Sequence, residues 1–254
     1  LNPAVMPTAT VVVEVTDEGV IGSELTADND VPLDIAVGDI DGDGWPDVVV
    51  GNGNQPDRVY LNTGSIDPFG ETIGFDFTME SKLTAGIAVG DLNGDGYPDI
   101  VAANQLAQNR VYLNSGAAPF FSAGPAGFAG DIENSYAVAL GDLDRDGDLD
   151  VIIGNGVANL RLYLNNGDSD PFNGVVGVNV TSDVRQVESL ALGDVDNDGD
   201  LDLVAGASLG RNRLYLNNGG GAPFAGIAGL DITADDHTTR AITLADMNGD
   251  GRLD

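Results

Sequence analysis

The chain has 254 residues, no cysteine and a formal net charge of −31. That excludes a disulfide framework and thiol chemistry, and it argues against nucleic acid and anionic membranes as partners, because both need basic patches. The acidity is nearly all aspartate, 34 Asp against 7 Glu, beside 36 Gly; these residues favour turns and tight loops, where a helical acidic protein would use Glu.

A 42% hydrophobic share is that of a globular protein. No run approaches the ~20 apolar residues of a membrane span, so no transmembrane segment is expected. Adaptation to high salt would account for part of the acidity. The chain starts at Leu1 without a recognisable leader, as a processed or trimmed sequence would.

From the N-terminus, Val11 to Val15 reads as a strand. Ser23 to Asp39 parallels Leu230 to Asp246, so the chain opens in the later part of a repeat. A short apolar stretch then enters an Asp-rich loop, and this happens five times: Ile35 to Val37, Ile87 to Val89, Val138 to Leu140, Leu190 to Leu192 and Ile242 to Leu244.

The loops are Asp39-Ile-Asp41-Gly-Asp43-Gly-Trp45-Pro-Asp47, Asp91-Leu-Asn93-Gly-Asp95-Gly-Tyr97-Pro-Asp99, Asp142-Leu-Asp144-Arg-Asp146-Gly-Asp148-Leu-Asp150, Asp194-Val-Asp196-Asn-Asp198-Gly-Asp200-Leu-Asp202 and Asp246-Met-Asn248-Gly-Asp250-Gly-Arg252-Leu-Asp254. Their starts are 52, 51, 52 and 52 residues apart.

A β-rich stretch leaves the first four loops, at Val48 to Val50, Ile100 to Ala102, Val151 to Ile153 and Leu203 to Ala205. An Arg-x-Tyr-Leu-Asn segment follows at Arg58, Arg110, Arg161 and Arg213, then a Pro-Phe pair at Pro68, Pro119, Pro171 and Pro223. A last strand-like segment closes the unit, as at Phe75 to Thr78, Val178 to Thr181 and Leu230 to Thr233.

About four short strands per ~52 residues, with almost no helical periodicity, predict an all-β fold: a β-propeller of about four-stranded blades. The Asp loop would join the first and second strands of each blade. A linear β-solenoid is the alternative, although its coils are usually shorter. The expected organisation is a single domain over 1–254, with repeats at 1–38 (partial), 39–90, 91–141, 142–193, 194–245 and 246–254 (partial). Either the two partial repeats complete a fifth blade, or the chain is a piece of a longer array; ending inside the motif favours the second.

The loops have the chemistry of a calcium site. Calcium takes six to eight oxygens in flexible geometry. Residues 1, 3 and 5 of a tight loop can aim short side chains at one centre, Gly at position 6 permits the turn, and the position-7 carbonyl (Trp45, Tyr97, Asp148, Asp200, Arg252) and the position-9 Asp complete the shell. Up to five Ca²⁺ are expected. Position 12 is Val50, Ala102, Ile153 or Ala205 rather than Glu, so these are not EF-hands. Magnesium keeps its waters and suits such a cage less well. Asp-Gly alone would mark only a turn, but five copies, each with the ninth Asp, say more.

The pattern Gly-Asp-x-[Asp/Asn]-x-Asp-Gly-x-x-Asp, with Gly38, Gly90, Gly141 and Gly193 before the first Asp, resembles FG-GAP/VCBS-type repeats, as in integrin α-subunit propellers and many bacterial surface proteins. So does the Asn212 to Gly219 type of segment. The fifth copy departs, with Ala245 in place of Gly, and the Pro-Phe pair differs from the family's usual Gly-x-Phe.

The resemblance implies a calcium-binding β-propeller, commonly seven-bladed, that serves in recognition, adhesion or surface assembly. It implies an extracellular or cell-surface location, with a protein or glycan ligand or self-association. The rival class is a secreted carbohydrate-active enzyme (lyase or hydrolase), its accessory propeller, or a lectin; no catalytic constellation stands out. The recurring Arg residues read as making a salt bridge or hydrogen bond between blades, a loop carboxylate being one candidate partner, ahead of a cationic ring for acidic glycans. Tyr60, Tyr112, Tyr163 and Tyr215 read as packing rather than sugar stacking. His237 reads as surface. Asn179-Val-Thr181 matches a glycosylation acceptor.

Overall fold

The computed structural model describes residues 30–65, 67–69, 74–128, 133–182, 184–208 and 210–254. The strand expected at Val11 to Val15 lies outside the described residues. Within them are sixteen strands and no helix.

The strands fall into four blades of four. The first blade holds β1 (Pro32–Gly38), β2 (Asp47–Gln55), β3 (Arg58–Tyr60) and β4 (Phe75–Asp76). The second holds β5 (Lys82–Gly90), β6 (Asp99–Gln105), β7 (Arg110–Tyr112) and β8 (Ala126–Gly127). The third is β9 (Ser135–Gly141), β10 (Asp150–Asn155), β11 (Arg161–Tyr163) and β12 (Val178–Asn179), and the fourth β13 (Val187–Gly193), β14 (Asp202–Ala207), β15 (Arg213–Tyr215) and β16 (Leu230–Asp231).

Every pairing is antiparallel and sequential within a blade. The far end of β2 also pairs with β5, at Gly53↔Leu83 and Gln55↔Lys82, which joins the first two blades. The first strands of successive blades touch one another, so they form the inner layer.

The core lies between blades. All six residues of β10 are buried. Ile152 faces the third–fourth cluster with Leu203 and Tyr215, whereas Val151 and Ile153 face the second–third cluster with Val101 and Phe128. A strand packed on both faces reads as an unbroken apolar run. The recurring tyrosines are packing: Tyr60, Tyr112, Tyr163 and Tyr215 are all buried.

Gly before the first Asp of the first four loops is a matter of close approach. A Cβ at Gly38 would strike Val89 of the next repeat, and one at Gly141 would strike Leu192 and Leu201.

Two expectations need correction. The fourth strand is only two residues long, because the following side chain or amide turns inward. Thr78 Oγ1 accepts from the Asp57 N–H at 2.7 Å, and Thr233 Oγ1 accepts from that of Asn212 at 3.1 Å. Ile242 to Leu244 form no strand, since no second strand pairs with them among the described residues.

Candidate functional site

Each of the first four Asp loops is the hairpin between a blade's first and second strands. The preceding Gly pairs with the ninth-position Asp, at Gly38↔Asp47, Gly90↔Asp99, Gly141↔Asp150 and Gly193↔Asp202. Between these anchors the chain coils on its own carboxylates. The position-6 N–H donates to the first Asp: Gly44 to Asp39 and Gly96 to Asp91, both at 2.9 Å, Gly147 to Asp142 at 3.2 Å, Gly199 to Asp194 at 2.9 Å and Gly251 to Asp246 at 2.7 Å. The position-7 N–H of Trp45, Tyr97, Asp148, Asp200 and Arg252 donates to the position-5 carboxylate at 2.8–3.0 Å.

Position 6 has φ between 84° and 99° in all five loops, which glycine adopts without strain. Position 4 is also left-handed. Gly42, Gly94 and Gly249 fit there, but Arg145 and Asn197 adopt φ 63° as well.

These turns bring the expected ligands together. Carboxylate oxygens of Asp39, Asp41 and Asp43 lie within 4.8 Å of one another, as do those of Asp142, Asp144 and Asp146, and of Asp194, Asp196 and Asp202. In the second and fifth loops Asn stands at position 3. There the Asp95 N–H donates to both Asp91 and Asn93, and the Asp250 N–H to both Asp246 and Asn248.

Among the described residues, Asp39 Oδ1, Asp142 Oδ1 and Asp144 Oδ1 are buried without a hydrogen-bond donor. Burial, followed by neighbouring carboxylates, pushes Asp41 and Asp144 above the usual carboxylate range. Oxygens so placed fit a hard divalent cation, which would supply the missing positive charge.

The ninth Asp is the structural hub of the loop. Asp47, Asp99, Asp150 and Asp202 are fully buried. In each, one oxygen accepts from the position-2 N–H (Ile40, Leu92, Leu143, Val195) at 2.7–3.0 Å, and the other from an asparagine N–H at 2.7–2.8 Å. Each oxygen keeps a second lone pair, and Asp202 reaches the fourth cluster. Burial raises Asp47 and Asp99 to about 6 and Asp150 to about 7. Asp254 differs: it is exposed and receives the Met247 N–H.

Those asparagines, Asn62, Asn114, Asn165 and Asn217, were not among the expected site residues. Their side chains cap position 8 of their own loop through Pro46, Pro98, Leu149 and Leu201 O. The last three also clamp position 2 of the preceding loop: Asn114 to Ile40 O at 2.8 Å, Asn165 to Leu92 O at 2.7 Å and Asn217 to Leu143 O at 2.8 Å. Asn-x-Gly recurs at the loop period, and that was the available signal.

Neighbouring loops also meet through Arg145, whose Nε lies 2.6 Å from Asp200 Oδ1.

Among the described residues, each recurring arginine has a partner within its own repeat. Each holds the outer part of its own blade: Arg58 pairs with Asp76 at 2.8 Å, Arg213 with Asp231 at 2.7 Å, and Arg161 donates to Asn179 Oδ1 at 2.8 Å. Arg110 donates to Gln108 at 2.8 Å. For Arg58, Arg161 and Arg213 the outer strand runs beside the Arg and supplies a partner, whereas Gln108 lies just before Arg110 in the chain. His237 is exposed and contacts Asp235 at 3.0 Å.

The family model described as FG-GAP-like repeat matches at residues 39–102, 91–153, 142–205 and 194–254. Human integrin alpha-6 is 33% identical over 138 residues, 48% of this chain and 12% of that protein. Mouse cartilage acidic protein 1 is 30% identical over 144 residues, 53% of this chain and 22% of that protein. The chain therefore spans less than a quarter of the curated relatives it matches. A solved structure of an Agrocybe aegerita lectin, described as recognising non-reducing terminal N-acetylglucosamine, is 22% identical with a TM-score of 0.53, covering 77% of this chain and 51% of that one; it supports the fold. Because the family matches run from Asp39 to Asp254, the chain belongs to the FG-GAP-like repeat family.

Proposed function

We propose that the five Asp loops hold calcium and that the chain is a calcium-stabilised recognition or adhesion module of an extracellular or cell-surface protein. The observation that carries the cation is the set of buried carboxylate oxygens without donors at Asp39, Asp142 and Asp144. Positions 1, 3, 5 and 9 supply side-chain oxygens, and the carbonyls of Trp45, Tyr97, Asp148, Asp200 and Arg252 add one each. Calcium tolerates such mixed oxygen shells better than magnesium.

A cation here is structural. It neutralises carboxylates that would otherwise repel, at the hairpins where each blade begins. At ~100 times its dissociation constant a site adds about 2.7 kcal/mol, so several filled sites rival the ~5–15 kcal/mol stability of a typical domain. The recognition role is supported by repeat membership and by the integrin relatives. Millimolar external calcium would keep even weak loops filled.

Thermal unfolding with calcium and with excess EDTA tests the reading. Chelation is expected to lower the melting temperature by about 20 °C or more. An unchanged melting temperature would refute a structural cation, and equal rescue by magnesium would refute the choice of calcium. Depolymerisation of a polysaccharide by the purified chain would replace recognition with enzymatic activity.

A further inference from the structure

A cavity of about 620 Å³ opens where the first strands of the blades meet. Five of its lining residues occupy one repeat position, six before the first Asp of each loop: Leu33, Ala85, Tyr136, Glu188 and Arg240. At about 3.3 Å per residue, that position is about 20 Å from the loops, at the opposite end of the inner strands. The site is separate from the cation loops.

In a repeated fold, positions that build the scaffold recur. The loop Asp, the Gly before it, the Arg and the Asn do so here. This ring does not: it carries two apolar residues of different size, an aromatic phenol, an acid and a base. Such divergence at symmetry-related positions makes an asymmetric mouth, which a repeated structural role would not require.

Its charges are also available. Arg240 is exposed and has no ion-pair or hydrogen-bond partner among the described residues. Glu188, on the adjacent repeat, accepts from Gln186 Nε2 at 2.6 Å and does not pair with Arg240. The Gln105 side chain lines the same wall. A second carboxylate on the wall, Asp34, is engaged by the Ile87 N–H at 2.8 Å, so the guanidinium of Arg240 and the carboxylate of Glu188, which face the cavity without joining, leave room for a ligand between them.

We infer that this mouth binds a compact zwitterion, of the free α-amino acid class. Arg240 receives its carboxylate, Glu188 its ammonium group, and Tyr136 with Ala85 borders its carbon frame. Arg suits a carboxylate because its planar fork can donate two parallel bonds. A lone anion would meet Glu188, and a lone cation would meet Arg240, so neither fits as well as a molecule with both charges. The inference is independent of the ion in the loops.

Isothermal titration of the calcium-loaded chain with each free L-amino acid tests it, with acetate, ethylamine and glucose as probes carrying one charge or none. At least one amino acid is expected to bind with a Kd below about 1 mM, with the three probes at least about tenfold weaker. Arg240→Met and Glu188→Gln should each weaken binding about tenfold or more, while the calcium titration and melting temperature stay unchanged. Should either variant melt lower, Arg240→Gln and Glu188→Ala take its place. Absence of amino-acid binding, binding insensitive to both substitutions, or glucose bound as tightly with the same sensitivity would overturn the assignment.

Discussion

Asn165 joins four segments through one side chain and its amide. Its N–H donates to Asp150, its Nδ2 to Leu149 O and to Leu92 O of the preceding repeat, and its Oδ1 accepts from Gly167. Removing the side chain strands two carbonyls and an N–H, each of which costs about 1–3 kcal/mol when buried. Asn165→Ala is therefore expected to destabilise by about 3 kcal/mol, readable as a lower denaturant midpoint with an unchanged slope; a shift within about 0.5 kcal/mol would contradict the clamp.

Asp57 sets a pH dependence of its own. Burial raises it to about 6, opposed by the Asn52 N–H, the Thr84 hydroxyl and Lys82. Thr84 Oγ1 lies 2.9 Å from both Asp57 Oδ2 and Asn104 Oδ1, and one hydroxyl proton cannot serve two acceptors. Between the unfolded value near 3.8 and about 6 the folded state holds a proton that the unfolded chain has lost. This group's contribution is thus full at acid pH, falls as pH rises through that window and is flat above it. Asn109 stands at the equivalent position one repeat on, so Asp57→Asn should fold. At saturating calcium it is expected to raise stability at pH 7 and to flatten the curve between about pH 4 and 6 relative to wild type; parallel curves would contradict this.

Residue roles were unequally legible in the sequence. Loop ligands announce themselves, because a cation needs particular side chains at fixed spacing. The Asn clamps do not, because their partners are backbone carbonyls 73 or 74 residues earlier, which carry no side-chain signature. Arg145 is hidden for another reason: Gly is the expected residue for a left-handed position, so nothing local suggests an ion pair with the next loop.

At the scale of elements, interfaces between repeats show linked substitutions. Between the second and third blades, Asn109 Nδ2 donates to Ser135 Oγ at 3.0 Å, which donates to Asn155 Oδ1 at 2.8 Å. The corresponding residues between the third and fourth blades are Leu160, Val187 and Ala207, all buried. One interface is wholly polar and the other wholly apolar at the same three positions, as expected when a half-satisfied network is worse than either extreme.

Ser135→Val alone should cost about 2 kcal/mol by leaving two amides short of a partner. Adding Asn109→Leu and Asn155→Ala should recover most of that, which equilibrium unfolding of the three variants would reveal. Strict additivity would show that the positions are uncoupled.

Strand existence was readable from β-rich runs and turn residues, but the lengths of the outer strands were not. β8 is Ala126–Gly127, with no strand propensity at all. It pairs with β7 because the repeat places it there, and its two residues end the sheet before a long open edge can form.

At the scale of the whole molecule, the blade architecture followed from the repeat period, since four strands in ~52 residues leave few alternatives. The cavity did not, because it arises where short segments from five repeats converge. Net charge also acts at this scale. Five divalent cations add ten positive charges and bring −31 only to −21, so self-repulsion is large with or without them. Raising NaCl from about 0.01 M to about 1 M, which shortens the screening length from ~30 Å to ~3 Å, is expected to raise the melting temperature more in EDTA than in calcium. An equal rise in both would mean that the cations do not relieve the repulsion among loop carboxylates.

The asparagine clamps all point the same way, from a later repeat to the loop before it. Each of the first three loops is therefore finished by residues synthesised a repeat after it. A chain emerging from the ribosome would carry a wave of completion that trails the newest residue by at least one repeat, with an uncapped position-2 carbonyl marking the front. Its assembly has a direction, in which three successive repeats each close their predecessor.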